Sequence, residues 1–150
     1  MISVIQRVSS CAVRINGETH SAIGPGLLVL LGVRPNDTGA DAASLADKIV
    51  NLRIFEDGDG KMNRSLLDTK GQLMVVSQFT LCADCRQGRR PSFTGAAAPE
   101  LGERLYDLFI EKARATGVTV ATGQFGAKMQ VDISNDGPVT LTLDTSFSLK

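Results

Sequence analysis

Apolar and polar residues alternate along most of this chain, and the alternation breaks at a few Gly, Pro and Asn positions. Residues 2–16 alternate loosely, as a half-buried strand does, with a bend expected near Ser9-Ser10. Asn16-Gly17 is a hairpin turn signal, because such a turn needs residues that tolerate positive φ. A second strand follows to about Ile23. After Gly24-Pro25-Gly26, the apolar run Gly26–Val33 predicts a buried central strand. The period then changes. Over residues 38–52, Leu45, Ala46, Ile49 and Leu52 share one helical face, and Thr38 with Asp41 forms a capping pair ahead of them. Leu52–Phe55 reads as a short strand or helix end, Asp57–Gly60 as a turn, and Leu73–Leu81 as an apolar strand ending in Ser-Gln-Phe-Thr. Residues 83–97 form a polar loop. Residues 99–116 predict a second helix: Pro99 suits its first turn, Leu101, Leu105, Leu108, Phe109 and Ala113 line one face, and Gly117 ends it. Strands are expected again at 118–123, 128–134 and 138–146, and residues from Asp144 to Lys150 run past the last strand as a loose tail.

Two helices and about seven strands, mostly joined by short turns, give an α+β class: mostly antiparallel β-sheet layers with both helices packed on one side. The 150 residues form one domain. One stretch fits less easily. Between the alternating segments around residues 131 and 141 stands Asn135-Asp136-Gly137-Pro138-Val139-Thr140. Pro138 has no N–H for a central ladder. The simplest expectation is a hairpin turn joining two strands.

Composition narrows the classes of function. Sixteen basic residues balance 16 acidic ones, so a long duplex-DNA footprint is not expected. A short RNA end recognised by shape and hydrogen bonds is compatible with zero net charge. The N-terminal residues lack the layout of a signal peptide, and the longest apolar run, Leu27–Leu31, is far short of a membrane span. The cytoplasm is therefore the expected location. Cys11, Cys82 and Cys85 are an odd number, which argues against a disulfide framework.

Candidate chemistry is weighed against plainer roles. Ser77 and Thr80 stand at a strand end, where a hydroxyl nucleophile would need a base. The only histidine, His20, lies in a predicted hairpin, so a Ser-His-acid triad is poorly supported. Main-chain N–H groups at the same strand end are the alternative, as an oxyanion hole. Cys82-x-x-Cys85 lacks a second ligand pair at finger spacing, and no metal or cofactor is expected. Asp57-Gly58-Asp59-Gly60-Lys61 departs from the calcium-loop order at Lys61 and Met62. Arg86, Arg89 and Arg90 with Phe93 suit either phosphate and base contacts or a solvated loop, and Lys61, Arg64 and Lys70 would extend such a patch. Small residues around Phe125 and Met129 suit an apolar pocket for a flat ring, or a turn over a core.

Taken in order, "MISVIQRV", "SQFTL", "RRPSF" and "GQFGAKMQVDISNDGPVT" make the chain similar to the bacterial D-aminoacyl-tRNA deacylases over nearly its full length. The resemblance implies a homodimer that hydrolyses the ester between a D-amino acid and the tRNA 3′ end, and that also removes glycine from mischarged tRNA. It implies a cis Gly137-Pro138 peptide inserted from one subunit into the active site of the other, with Arg7 fixing its orientation. Ser77, Gln78, Phe79 and Thr80 match the family's pocket strand, and Phe125 and Met129 match positions near the terminal adenosine. Two main-chain carbonyls aimed at the bound aminoacyl group would accept from its ammonium and leave no volume for an L side chain. The favoured chemistry is attack by water, with the N–H groups of Phe79 and Thr80 polarising the carbonyl and the 2′-OH of the RNA assisting. Thr80 as nucleophile, and a tRNA-end-binding module without catalysis, remain as alternatives.

Overall fold

The computed structural model describes residues 1–147. In chain order its elements are β1 (Ile2–Ile15), β2 (Glu18–Ile23), β3 (Gly26–Gly32), α1 (Gly39–Asn51), β4 (Phe55–Glu56), β5 (Met62–Arg64), α2 (Leu66–Thr69), β6 (Gln72–Ser77), α3 (Pro99–Ala115), β7 (Thr119–Thr122) and β8 (Gln130–Asp144). The α+β reading holds, with a third, short helix added. Its signal was present: Ser65-Leu66-Leu67-Asp68 is a capping box, and both of its reciprocal hydrogen bonds form.

The long strand β1 organises the sheet. Its first half pairs antiparallel with β3, from Ile2 opposite Gly32 to Val8 opposite Gly26. Its second half pairs with β2 through the Asn16-Gly17 turn, where φ is +53° and +84°. Strand β8 runs antiparallel along almost all of β1. The ladders β3–β6 and β6–β7 are parallel, because α1 and α3 lie in the connections and a parallel return needs such a crossover. The Oγ of Ser21 in β2 donates to the carbonyl of Thr122 in β7 at 2.7 Å, so the sheet curls until its two ends meet.

Strict alternation sorts β3 and β6 into two cores. Leu27, Val29, Leu31, Leu73 and Val75 face α1 and α3, meeting Leu45, Ile49, Phe109 and Ala113. Leu28, Met74 and Val76 face the other way, onto Val8, Cys11, Val13 and Ile23. Both long helices thus cover one face, as expected. On β1 the phase switches between Ile5 and Val13, and the cause is a bulge: Val8 and Ser10 oppose the consecutive residues Asn135 and Ser134. That is the bend anticipated at Ser9-Ser10.

Two expectations are corrected. The strand expected to run to Leu81 stops at Ser77, and Phe79–Cys82 turn into a single 3-10 turn. Residues 128–134 and 138–146 are not the arms of a hairpin. They belong to one strand, β8, whose two halves pair with the same partner in the same direction. Gln6 opposes Thr140 and Val8 opposes Asn135. Asp136, Gly137, Pro138 and Val139 therefore all stand opposite Arg7, as a looped-out bulge. Beyond it, the chain end is tied rather than loose as far as described: Asp144 takes a bidentate contact from Arg34 at 2.7 and 2.6 Å, and Thr145 donates its N–H to the Met1 carbonyl at 2.9 Å. The last part of the expected tail, residues 148–150, lies outside the described residues.

Candidate active site

A cavity of about 580 Å³ opens where β6 ends. Ser77, Gln78 and Phe79 form one wall, and Phe125 and Met129 face them across it. Each is held by a local cause. Phe125 packs on α3 because residue 102 is glycine: a Cβ there would stand 3.3 Å from the ring. Tyr106, one turn on, lies 5.9 Å from the same ring and donates its hydroxyl to the Val75 carbonyl at 2.9 Å. Met129 is seated over Gly123, where a Cβ would meet its sulfur at 2.7 Å. Across the mouth, Phe79 and Phe93 make an edge-to-face pair with centroids 5.2 Å apart, both rings exposed. Ala96, Ala97 and Pro99 complete the rim. Sequence reasoning did not place these at the site, although the small-residue run Gly95–Ala98 was the available signal. Gly95 is needed there, since a Cβ would lie 2.8 Å from the Cys82 carbonyl oxygen.

The chemistry of this wall is defined by what it carries. Among the described residues, none that lines the cavity is ionisable. The N–H groups at the start of a helical turn have no internal acceptor, and no described backbone hydrogen bond takes those of Phe79 or Thr80. Thr80 itself is exposed and does not line the cavity. Its Oγ1 accepts from Gln78 Nε2. An amide cannot act as the base that a threonine nucleophile requires. His20 is exposed on β2 and lines no part of the cavity.

The Gly137-Pro138 bulge stands apart from this cavity. None of residues 135–139 lines it, and Asn135 lies four residues along β8 from Val131 in its wall, roughly 13 Å at 3.3 Å per residue. The Gly137-Pro138 peptide is cis, and Gly137 has φ +116°. Arg7 holds the bulge from beneath. Its buried guanidinium donates from Nη1 to the Ile54 carbonyl at 2.8 Å. Its Nε lies 3.1 Å from Asp136 Oδ2, an ion pair that is poorly aligned as a hydrogen bond, and its Nη2 lies 3.8 Å from Glu56. Asn135 closes the bulge, donating from Nδ2 to the carbonyls of Arg7 at 2.9 Å and Val139 at 3.0 Å. The glycine, proline and arginine expected to act together are thus together, while Ser77, Gln78, Phe79, Phe125 and Met129 form a separate group. Asn135, Ile54 and Glu56 were not anticipated from sequence.

The remaining candidates keep plainer roles. Among the described residues no group of three or more His, Cys, Asp or Glu side chains is placed to hold a metal. Burial pushes the Cys11 thiol up to about 11 and raises that of Cys82. Asp57 Oδ1 accepts from the N–H groups of Asp59 at 2.9 Å and Lys61 at 3.0 Å, so its carboxylate shapes a turn. Arg86 is engaged by Asp84, whereas Arg89 and Arg90 stay exposed. Lys61, Arg64 and Lys70 do not line the cavity.

Comparison with known proteins is consistent over nearly the whole chain. Residues 4–144 match the family model described as D-Tyr-tRNA(Tyr) deacylase. A D-aminoacyl-tRNA deacylase of Dehalococcoides mccartyi is 60% identical over 145 residues, covering 97% of this chain and 95% of that one. One from Clostridioides difficile is 57% identical over 148 residues, covering 99% of each. A solved structure titled c-Myc DNA Unwinding Element Binding Protein superposes with a TM-score of 0.90 at 42% identity, covering 96% of this chain and 98% of that one. A probable eukaryotic D-amino acid tRNA deacylase, at 18% identity and a TM-score of 0.82 over 95% and 97% of the two chains, shares the fold.

Proposed function

This chain belongs to the D-Tyr-tRNA(Tyr) deacylase family, and from that premise we propose that it hydrolyses the ester joining a D-amino acid to the 3′ end of tRNA. The observation that carries the mechanism is a pair of unpaired N–H groups at the end of the cavity wall, that of Phe79 in the lining and that of Thr80 next to it in the chain, beside a surface on which no described residue is ionisable. Such a site polarises an ester carbonyl by fixed dipoles. Water adds to that carbonyl, the N–H pair holds the oxyanion, and collapse expels the ribose oxygen. With no base among the described residues of the wall, the vicinal 2′-OH of the RNA is the group that relays the proton. Ser77 and Gln78 line the aminoacyl end, and Phe125 and Met129 hold the terminal adenine.

Handedness is assigned to Gly137-Pro138, supplied by a second copy of the chain. Support comes from the bulge being held rigidly by Arg7 and Asn135 yet standing outside its own cavity. In a homodimer its carbonyls accept from the substrate ammonium and occupy the volume an L side chain needs. Glycine, having no side chain, passes the same filter, so glycyl-tRNA is a second substrate. The test is deacylation of D-Tyr-tRNA against L-Tyr-tRNA, with sedimentation to establish the assembly. Rapid loss of the D ester alone, by a dimer, is expected. Equal rates on both esters, or none on the D form, would overturn the reading.

A further inference from the structure

The aminoacyl-adenosine end fills only the cavity, and the rest of the tRNA must leave it in some direction. Two basic regions flank the mouth. One is the loop carrying Arg86, Arg89 and Arg90. The other is a cleft of about 290 Å³ lined by Arg14, Asn16, Gly17, Lys128, Met129 and Gln130. Met129 belongs to both this cleft and the cavity, so the two are contiguous through the residue assigned to the adenine. Among the described residues, the lining of the cleft holds two cations and no acid. Arg14 is partly neutralised, its Nε 2.7 Å from Asp132, which also accepts from Gln130 at 3.0 Å. Lys128 is exposed, and its ammonium has no ion-pair or hydrogen-bond partner among the described residues.

Resting on the function proposed above, we infer that the Lys128–Arg14 cleft is a subsite for the phosphodiester immediately upstream of the terminal adenosine. A ring held between Phe125 and Met129 leaves its ribose 5′ side to pass Met129, and the first anionic group beyond it meets Lys128. The ammonium, free of a competing carboxylate, is a point charge suited to a phosphate oxygen. The side chains of Asn16 and Gln130 add neutral donors on the same wall. The cleft beside the opposite loop is less suited to this role: its described lining holds one cation, Arg86, paired with Asp84 of the same lining, and shares no residue with the cavity.

The test compares two substrates that differ in that phosphate: D-Tyr-tRNA and 3′-O-D-tyrosyl-adenosine, which ends at its 5′ hydroxyl. Lys128→Glu should raise KM for the tRNA roughly five- to tenfold at low salt, with kcat unchanged. The gap should narrow as salt rises, because exposed charges are screened over about 10 Å at 0.1 M. Lys128→Gln should lower the slope of log KM against log salt by about 0.7, the value for one phosphate contact on a single strand. Neither variant should change kcat/KM for the nucleoside ester. An equal fall on both substrates, or no change on either, would overturn the inference. So would a selective KM effect in Arg89→Glu or Arg90→Glu that Lys128→Glu lacks. A wild-type protein inactive on both esters would instead refute the deacylase reading, and the subsite with it.

Discussion

Replacing Gly137 by alanine tests the bulge where it is least tolerant. The glycine holds φ +116°, and a Cβ built on it lies 2.9 Å from Arg7 Nη2, 2.9 Å from Val139 Cγ2 and 3.2 Å from the Val139 nitrogen. The backbone term alone is on the order of 1–3 kcal/mol for an L residue in so sparsely populated a region. Relief of the side-chain overlap is not free. The guanidinium is buried and pinned by the Ile54 carbonyl at 2.8 Å, and a hydrogen bond to a charged group contributes about 1.5–3 kcal/mol. Val139 is itself packed into the core on the helical side of the sheet. These routes are alternatives, so the expected destabilisation is about 2–4 kcal/mol, or a fall in Tm on the order of 5–15 °C for a chain of this length. Thermal unfolding followed by circular dichroism measures it, beside deacylation of D- and L-Tyr-tRNA. D-ester turnover should fall more than tenfold, by about 1.4 kcal/mol or more in the barrier. Repeating the substitution in an Arg7→Ala background isolates one cause: the clash with the guanidinium disappears, while the backbone cost and the contacts with Val139 remain. An alanine enzyme with unshifted Tm and wild-type discrimination would refute the reasoning outright.

Thr80→Ala should keep deacylase activity within about tenfold of wild type, since the N–H at position 80 survives the change and the hydroxyl meets only the Gln78 amide among the described residues; single-turnover assays that find a dead enzyme would restore the threonine nucleophile. Asp144 carries a pH dependence of stability. Its carboxyl is held well below the usual range by hydrogen bonds first from Arg34 and then from Ser146. A depressed folded pKa gives stability that is fully present above the unfolded value, about 3.9, and lost as pH falls through the folded one. Asp144→Asn should therefore lower Tm at pH 7 and flatten the loss of Tm below about pH 4 relative to wild type; parallel acid limbs for the two proteins would contradict the assignment.

Most of the elements were legible because their causes are local. The Asn16-Gly17 turn, the Thr38–Asp41 capping box and Pro99 at the first turn of α3 each depend on a few neighbouring residues, and each forms. The same logic would have found α2 from Ser65 and Asp68. What escaped was decided by distant partners. Phe79-Thr80-Leu81 continues an apolar run, yet the chain turns after Ser77, and the Gln78 N–H takes the Leu31 carbonyl at 2.8 Å. Around Gly137 the alternation resets on both sides, and period-2 patterning cannot distinguish a reversal of direction from a four-residue bulge. Only the length of β1, with 14 residues available to pair both halves of β8, decides between them.

That decision changes what the bulge can do. The tip of a hairpin is held only by its two arms and moves with them. A bulge within one long ladder is anchored on both sides by pairs to the same strand, Gln6 with Thr140 and Val8 with Asn135, so its base is as fixed as the sheet. The residue it overlies, Arg7, is the one that fills the space beneath it and joins it to Ile54 and Glu56 beyond the C-terminal end of α1. Both acids near Arg7 are more than half exposed, so their pairing with it is weak and the Ile54 carbonyl is the firm contact. The bulge is thereby supported from the sheet and from the helical layer at once. The role proposed for the bulge, exclusion of a side chain by volume, requires a group that does not yield when pressed, and main chain held on three sides meets that requirement better than any flexible side chain.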